Sequence, residues 1–352
     1  MKKIALYSLC ALALLGCRKD NVEGPELADI FGEFEVFESL TADKSEVNFS
    51  AGETVAFSAK LSIRTDWELH IVGQTTGARK VISGRAKDIT GDVATWNGTI
   101  TFAPIFAEEV CTTYMTFLEY PDETLEGPEI TISTVKPAAG VDLLISDFEA
   151  DGQGFLPFTE PASDNYRLSG TYFQPDYGTP PGFVEVNPAE QNGYWRMTAN
   201  NAGSIFICGF ALGGANVQDN TDGQAYYAMG TNNPDNVYFN AFVHGFGNAN
   251  TRMVINFQED DNLDGTYDRF TEGSWGKEIL VDWTGWKLVS FPLSETVLST
   301  SGGFGNIDGT GQKDLDRILN MECLLLAAEG TAGLTGFCMD YANITLFTPF
   351  EP

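Results

Sequence analysis

Apolar and polar residues alternate with a period of two through most of this 352-residue chain, which is the signature of half-buried strands. In 54–63, Val55, Phe57, Ala59, Leu61 and Ile63 fall on one face, while Ala56, Ser58, Lys60 and Ser62 fall on the other. A strand at 46–50 precedes it across the Ala51-Gly52-Glu53 turn, and further strands are predicted at 67–72, 98–102, 112–118 and 130–134. Pro137-Ala138-Ala139-Gly140 then interrupts the pattern and reads as a domain edge.

Beyond that edge, strands are predicted at 194–199, 204–211, 237–244, 252–258, 287–293, 322–327 and 336–347. Only 313–320 suggests a turn of helix. The chain is therefore expected to be all-β. Roughly 100 residues with this turn spacing suit an immunoglobulin-like β-sandwich over 34–136. The larger unit, 141–352, suits a jelly-roll sandwich of antiparallel strands.

Composition narrows the function classes. Acidic residues number 49 against 20 Lys and Arg, giving a formal charge of −29. Binding to nucleic acid needs clustered cations to neutralise phosphates, so it is excluded as an expectation. With 43% hydrophobic and 12% aromatic residues, the chain is too apolar for a disordered protein. Two His residues leave little for His-rich metal catalysis.

The candidate ligand face is read from two strands. In 237–244, Val237, Phe239, Ala241 and Val243 form an apolar set, and Tyr238, Asn240, Phe242 and His244 face the other way. In 252–258, Met253, Ile255 and Phe257 are apolar, and Arg252, Asn256 and Gln258 belong to the alternate set. If the two strands are neighbours, one sheet face carries rings together with amides and a guanidinium. Sugars suit that mixture, because rings stack on pyranose C–H faces while polar groups bond hydroxyls. Trp195 is a further stacking candidate, although its alternation with Met197 and Ala199 equally suits the core. Tyr172, Phe173 and Tyr177 add loop aromatics.

An acidic stretch, 259–268, holds the sharpest chemical signal. Counting from Asp260, the oxygen-bearing Asp260, Asn262 and Asp264 fall at positions 1, 3 and 5, Gly265 at the sixth and Asp268 at the ninth. That spacing is similar to an EF-hand-type calcium loop, though Thr271 stands where a bidentate Glu belongs and Glu272 comes one residue late. Two readings stand: a structural calcium, or an acidic hairpin tip whose Asp and Asn side chains stabilise turns. For Cys323 and Cys338 there are likewise two, a cross-strand disulfide or buried free thiols.

The N-terminus carries an export signal. Lys2 and Lys3 precede an apolar run from Ile4 to Leu15 that is too short to span a bilayer. Its end, Leu14-Leu15-Gly16-Cys17, resembles the bacterial lipobox. That resemblance implies cleavage after residue 16, lipid on Cys17, and a polar tether over 17–33. Lys19-Asp20 is similar to the signal that sends Bacteroidota lipoproteins to the cell surface.

Asp282-Trp283-Thr284-Gly285-Trp286-Lys287, leading into a strand that ends at Pro292, resembles a segment of galactose-binding-like carbohydrate-binding modules. Asp147-Phe148-Glu149 and Cys338-Met339-Asp340-Tyr341 are similar to the first and last strands of such modules. The resemblance implies a second structural calcium held by Asp147, Glu149 and Asp340. Lipobox, spacer sandwich and jelly roll together look like the surface glycan-binding lipoproteins of Bacteroidota polysaccharide-utilisation systems. Membership implies an outer-membrane lipoprotein that captures a polysaccharide without cutting it and serves a glycan importer.

Two alternatives accompany that expectation. A jelly-roll polysaccharide lyase would use His244, Asn256, Gln258 and Arg252 on one concave sheet. Hydrolysis needs paired carboxylates, and Glu149-Ala150-Asp151-Gly152-Gln153-Gly154 begins a known hydrolase pattern without its final acid. A structural adhesin would show polar sheet faces without an aromatic cluster.

Overall fold

The computed structural model describes residues 33–136, 140–149, 153–159, 166–169, 184, 186–190, 193–203, 205–298 and 312–352. Residues 1–32, which include the expected leader, Cys17 and most of the expected tether, lie outside the described residues, as do Tyr172, Phe173 and Tyr177.

The all-β expectation holds, with an immunoglobulin-like sandwich followed by a jelly roll. The first unit contains β1 (Val36–Ala42), β2 (Glu46–Asn48), β3 (Val55–Gly73), β4 (Arg79–Ile89), β5 (Thr95–Trp96), β6 (Val110–Phe117), β7 (Tyr120–Glu126) and β8 (Ile130–Thr134). Their order is β1-β3-β6-β8-β2, with β4 and β5 on β3 and β7 on β6. β3 runs 19 residues without the break expected near 64–66. Its inward parity continues unchanged through Leu61, Trp67, Leu69 and Ile71, so one strand pairs with β1 early and with β4 and β6 later. The strand expected at 98–102 contributes only a bridge, Arg79 to Phe102.

The second unit contains β9 (Leu143–Ser146), β10 (Leu156–Thr159), β11 (Tyr166–Ser169), β12 (Trp195–Ala202), β13 (Phe206–Gly213), β14 (Val237–Phe246), β15 (Thr251–Glu259), β16 (Ser274–Leu280), β17 (Thr284–Pro292), β18 (Val297–Leu298), β19 (Ile318–Ala327) and β20 (Ala332–Leu346). They form two antiparallel sheets. The outer sheet has the order β10-β13-β19-β15-β16-β18, and the central sheet β11-β12-β20-β14-β17, with β9 on β20. Between them lies a core that includes Trp195, Phe210, Phe239, Phe257, Phe291 and Phe337.

The central sheet is covered on its second face as well. Phe242, Tyr341, Phe350 and Ala189 form a separate buried cluster there, and Ile100, Ala103 and Ile105 of the first unit pack against it. Asn240, with no exposed surface, fastens this layer. Its amide N–H groups donate to Asn343 Oδ1 and Thr345 Oγ1, both at 3.1 Å, and its oxygen accepts from Ser290 Oγ at 2.6 Å and the Phe350 N–H at 3.2 Å. The Ile105 N–H donates to the Ala189 carbonyl at 2.8 Å, and the Ile100 N–H to the Pro352 carbonyl at 3.4 Å. The last residues are thus held between the two units.

Removing a fully buried ring leaves a cavity that its surroundings only partly refill. Phe242→Ala and Phe350→Ala are therefore expected to cost about 3 kcal/mol each. Urea denaturation of both variants checks this, and midpoints equal to wild type would place neither ring in a buried layer.

Candidate functional site

The turn between β14 and β15 carries the chain from the central sheet to the outer sheet, so the ligand face expected from sequence is divided. Tyr238, Asn240, Phe242 and His244 lie on the central sheet, and Arg252, Asn256 and Gln258 on the outer sheet. The first four do point away from the sandwich core, but towards a covered layer. Phe242 is 1% exposed and Asn240 is committed to the network above. His244 is half-buried edge-on to Trp286 at 5.3 Å, and burial pushes its pKa down to about 4, which leaves the ring neutral near pH 7. Trp195 belongs to the core, with its ring 4.8 Å from Phe155 and 4.9 Å from Phe210.

On the outer sheet, strand register builds the face row by row. Ala211, Glu322, Asn256 and Gly276 lie abreast across β13, β19, β15 and β16. Gly213, Asn320, Gln258 and Ser274 form the next row. In the other direction lie Gly209, Leu324, Val254 and Glu278, with Leu324 and Val254 buried against Leu326 and half-buried Phe206. The face therefore grades from apolar to amide and carboxylate, over a floor of small residues.

The polar groups are pre-positioned. Asn256 Nδ2 donates to Glu322 Oε2 at 2.7 Å, and Asn320 Nδ2 to Gln258 Oε1 at 3.3 Å. Asn256 Oδ1 is buried with no protein donor, and a Cβ at Gly276 would sit 2.2 Å from it, so that glycine makes the room. Burial pushes the Glu322 carboxyl above its usual range, opposed by the Asn256 amide. Tyr267 stands at the polar end, half-buried, with its hydroxyl near Ser274 and in electrostatic reach of Glu322. Burial raises the Tyr267 pKa.

Glu322, Asn320 and Tyr267 escaped the sequence reading. A glutamate between Met321 and Cys323 in an otherwise apolar strand was the available signal, because an acid seldom stands there without a use.

The acidic loop is organised by its own backbone. Asp260 and Glu272 are buried at 0% and 2% exposure. Asp260 accepts from the N–H groups of Asp264 and Gly265 (3.1 and 2.8 Å) and from the Tyr226 hydroxyl at 2.7 Å. Glu272 reaches back to the N–H groups of Asn262 and Asp268 at 3.3 and 2.6 Å. Asp264 instead accepts from the Thr266 N–H at 2.9 Å, and Asp268 from the Phe270 N–H at 2.9 Å. Asn262 likewise accepts from the Asp264 N–H at 2.8 Å. These are Asx turns, each engaging one side-chain oxygen and fixing the local course of the loop.

The second expected calcium set is also engaged elsewhere. Asp340 Oδ2 accepts from the Ala189 and Glu190 N–H groups, both at 2.9 Å, and burial holds its carboxyl well above the usual range. Asp147 pairs with Gln218 at 2.7 Å, and Glu149 accepts from the Gly193 N–H at 2.5 Å. Among the described residues, no three Asp, Glu, His or Cys side chains are grouped to hold an ion. Cys323 points into the core and Cys338 lies on a strand of the other sheet, so the two are not bridged to each other.

Comparison with known proteins finds no matching family model and no matching curated protein. Among solved structures, the chain is similar to a family 11 carbohydrate-binding module from Clostridium thermocellum in complex with a β-1,3-1,4-mixed-linked tetrasaccharide. The identity is 16% over 61% of this chain and 100% of that one, with a TM-score of 0.38. A family 30 carbohydrate-binding module shares 11% identity over 58% of this chain and 98% of its own, with a TM-score of 0.34. An exo-β-agarase shares 9% over 60% of this chain and 25% of its own, at 0.35. Likenesses this remote concern the sandwich fold and carry nothing about ligand.

Two outcomes follow from this geometry. Chelator is expected to leave the melting temperature of the mature protein unchanged, and a drop restored by calcium would establish an ion in the loop. Glu259, beside that loop and fully buried, has its pKa raised by burial from 4.5 to about 7. The folded state then holds the proton more tightly than the unfolded chain, so stability falls as pH rises from about 4.5 to about 7. Glu259→Gln lacks this component, and the wild-type-to-variant difference should shift by up to ~3 kcal/mol across that window, read from urea melts at each pH.

Proposed function

We propose that this protein is an outer-membrane lipoprotein, anchored through Cys17 and displayed on the cell surface, that binds a polysaccharide without cutting it and serves a glycan importer. The observation carrying the binding reading is the outward face of the outer sheet. There Asn256, Glu322, Gln258 and Asn320 stand in register over Gly and Ala residues, with one buried amide oxygen still lacking a donor. Sugar hydroxyls both donate and accept, so a row of amides and a carboxylate answers them. Tyr267 supplies a ring at the polar end.

The division of the expected face favours binding over cleavage. A lyase reading needs His244 beside Asn256, Gln258 and Arg252, and β14 and β15 belong to different sheets. His244 is also held neutral with its pKa near 4, poorly matched to proton transfer at neutral pH. An adhesin reading leaves the register-aligned amides unexplained.

Native affinity electrophoresis of the mature chain through gels containing plant, algal and microbial polysaccharides tests the reading. Retardation by at least one polymer without release of fragments is expected. Asn256→Ala and Glu322→Ala should each weaken retention about tenfold or more, since each leaves a partner group unpaired, while Tyr238→Ala should not. Equal retention by all three variants would move the site off this face.

A further inference from the structure

The charges around the outer face, taken with the proposed glycan-binding role, define a class of polymer. Arg252 is the one cation among the described residues of this face, and its guanidinium is paired with Glu278 in the adjacent row on β16. Both side chains are about half exposed, at 40% and 46%, so the pair sits at the surface of the face and not beneath it. The remaining charge on the face is Glu322.

Every other cation nearby is committed elsewhere. Lys277 pairs with Glu295 on the opposite side of its strand. Lys313 donates to the carbonyls of Leu293 and Ser294 at 3.0 Å and to that of Thr296. Arg317 donates to the Asp261 carbonyl at 3.0 Å and lies near Asp314. Arg269 stacks over Phe270 at 4.7 Å. The segments of the second unit outside the described residues contain no Lys or Arg, and Arg167 belongs to β11 in the other sheet. Across 141–352 the sequence holds 28 acidic residues against eight Lys and Arg.

We propose that this face selects uncharged polysaccharides and turns away uronate- or sulfate-bearing ones, and that Glu278 enforces the choice by cancelling Arg252. An anionic polymer would meet a neutralised guanidinium, a carboxylate in the centre of the site and an acidic surround, with no free cation to bond its charged groups. A neutral polymer carries no charge for that surround to repel, and its hydroxyls can donate to Glu322. Glu278 thus acts as a specificity residue by repulsion as well as by pairing.

The test uses the mature protein, Glu278→Gln and the double variant Arg252→Gln/Glu278→Gln. Each is run against polymer-free gels, a neutral set (β-glucan, xylan, galactomannan, agarose) and an anionic set (alginate, polygalacturonate, sulfated galactan). Glu278 is exposed at a strand surface, and equal melting temperatures confirm that all three proteins are folded. Wild type should be retarded by a neutral polymer and by none of the anionic ones. Glu278→Gln should keep the neutral retardation and gain retardation in an anionic gel at low salt, and the double variant should lose that gain. Wild-type retardation by anionic polymers alone would overturn the inference while leaving glycan binding standing. An anionic response of Glu278→Gln no different from wild type would remove Glu278 from the account. Absence of retardation in every gel would overturn the proposed function itself, and the inference with it.

Discussion

Burial of β20 on both faces is the constraint from which the rest of the molecule follows. From Thr335 to Thr345 every residue of this strand is buried, which a sandwich facing solvent on its outside does not require. One set, Phe337, Met339, Ala342 and Ile344, packs into the jelly-roll core. Tyr341 and its neighbours on the other side lie under the last residues of the chain and the first unit. A left-handed backbone at Tyr341 (φ 49°) accompanies the register shift between Asn343 and Asp340 against β14, and both faces stay filled on either side of it. On the outward face of the other sheet the exposed side chains are Arg252 and Glu278, while Val254, Asn256 and Leu324 beside them are buried.

That arrangement assigns polar residues to two kinds of work. On the covered side, Asn240 and Asp340 satisfy backbone groups that would otherwise be stranded, and an unpaired buried polar group costs about 1–3 kcal/mol. On the outer sheet, Asn256 and Glu322 bond each other, and the buried Asn256 side-chain oxygen is left without a protein donor. Residue type alone does not separate the two cases, because an asparagine in a strand can close a network or leave one unfinished.

Much of the fold was legible because period two is strong in these strands, and the inward sets of β3, β14 and β15 match it residue by residue. The sheet to which a strand belongs was not legible. β14 and β15 are joined by the short Gly247–Asn250 connection, and a hairpin and a crossing between sheets look alike at that length. The alternation was therefore read correctly within each strand, while the single face drawn from it is divided between two sheets. Trp195 shows the reverse, since its alternation with Met197 and Ala199 already pointed to the core where its ring lies. The acidic loop shows a third limit: spacing places oxygens along the chain, but the Asx turns at Asn262, Asp264 and Asp268 decide where they aim.

The tail held between the two units also has a mechanical meaning. Tension applied between the first unit and the outer sheet would pass from the loop at Ile100–Ile105 through Phe350 and Asn240 into β14 and β20. Those strands pair antiparallel along most of their length, so the load reaches their ladder partly as shear distributed over many bonds instead of peeling them singly. The tail serves as a shim in that path.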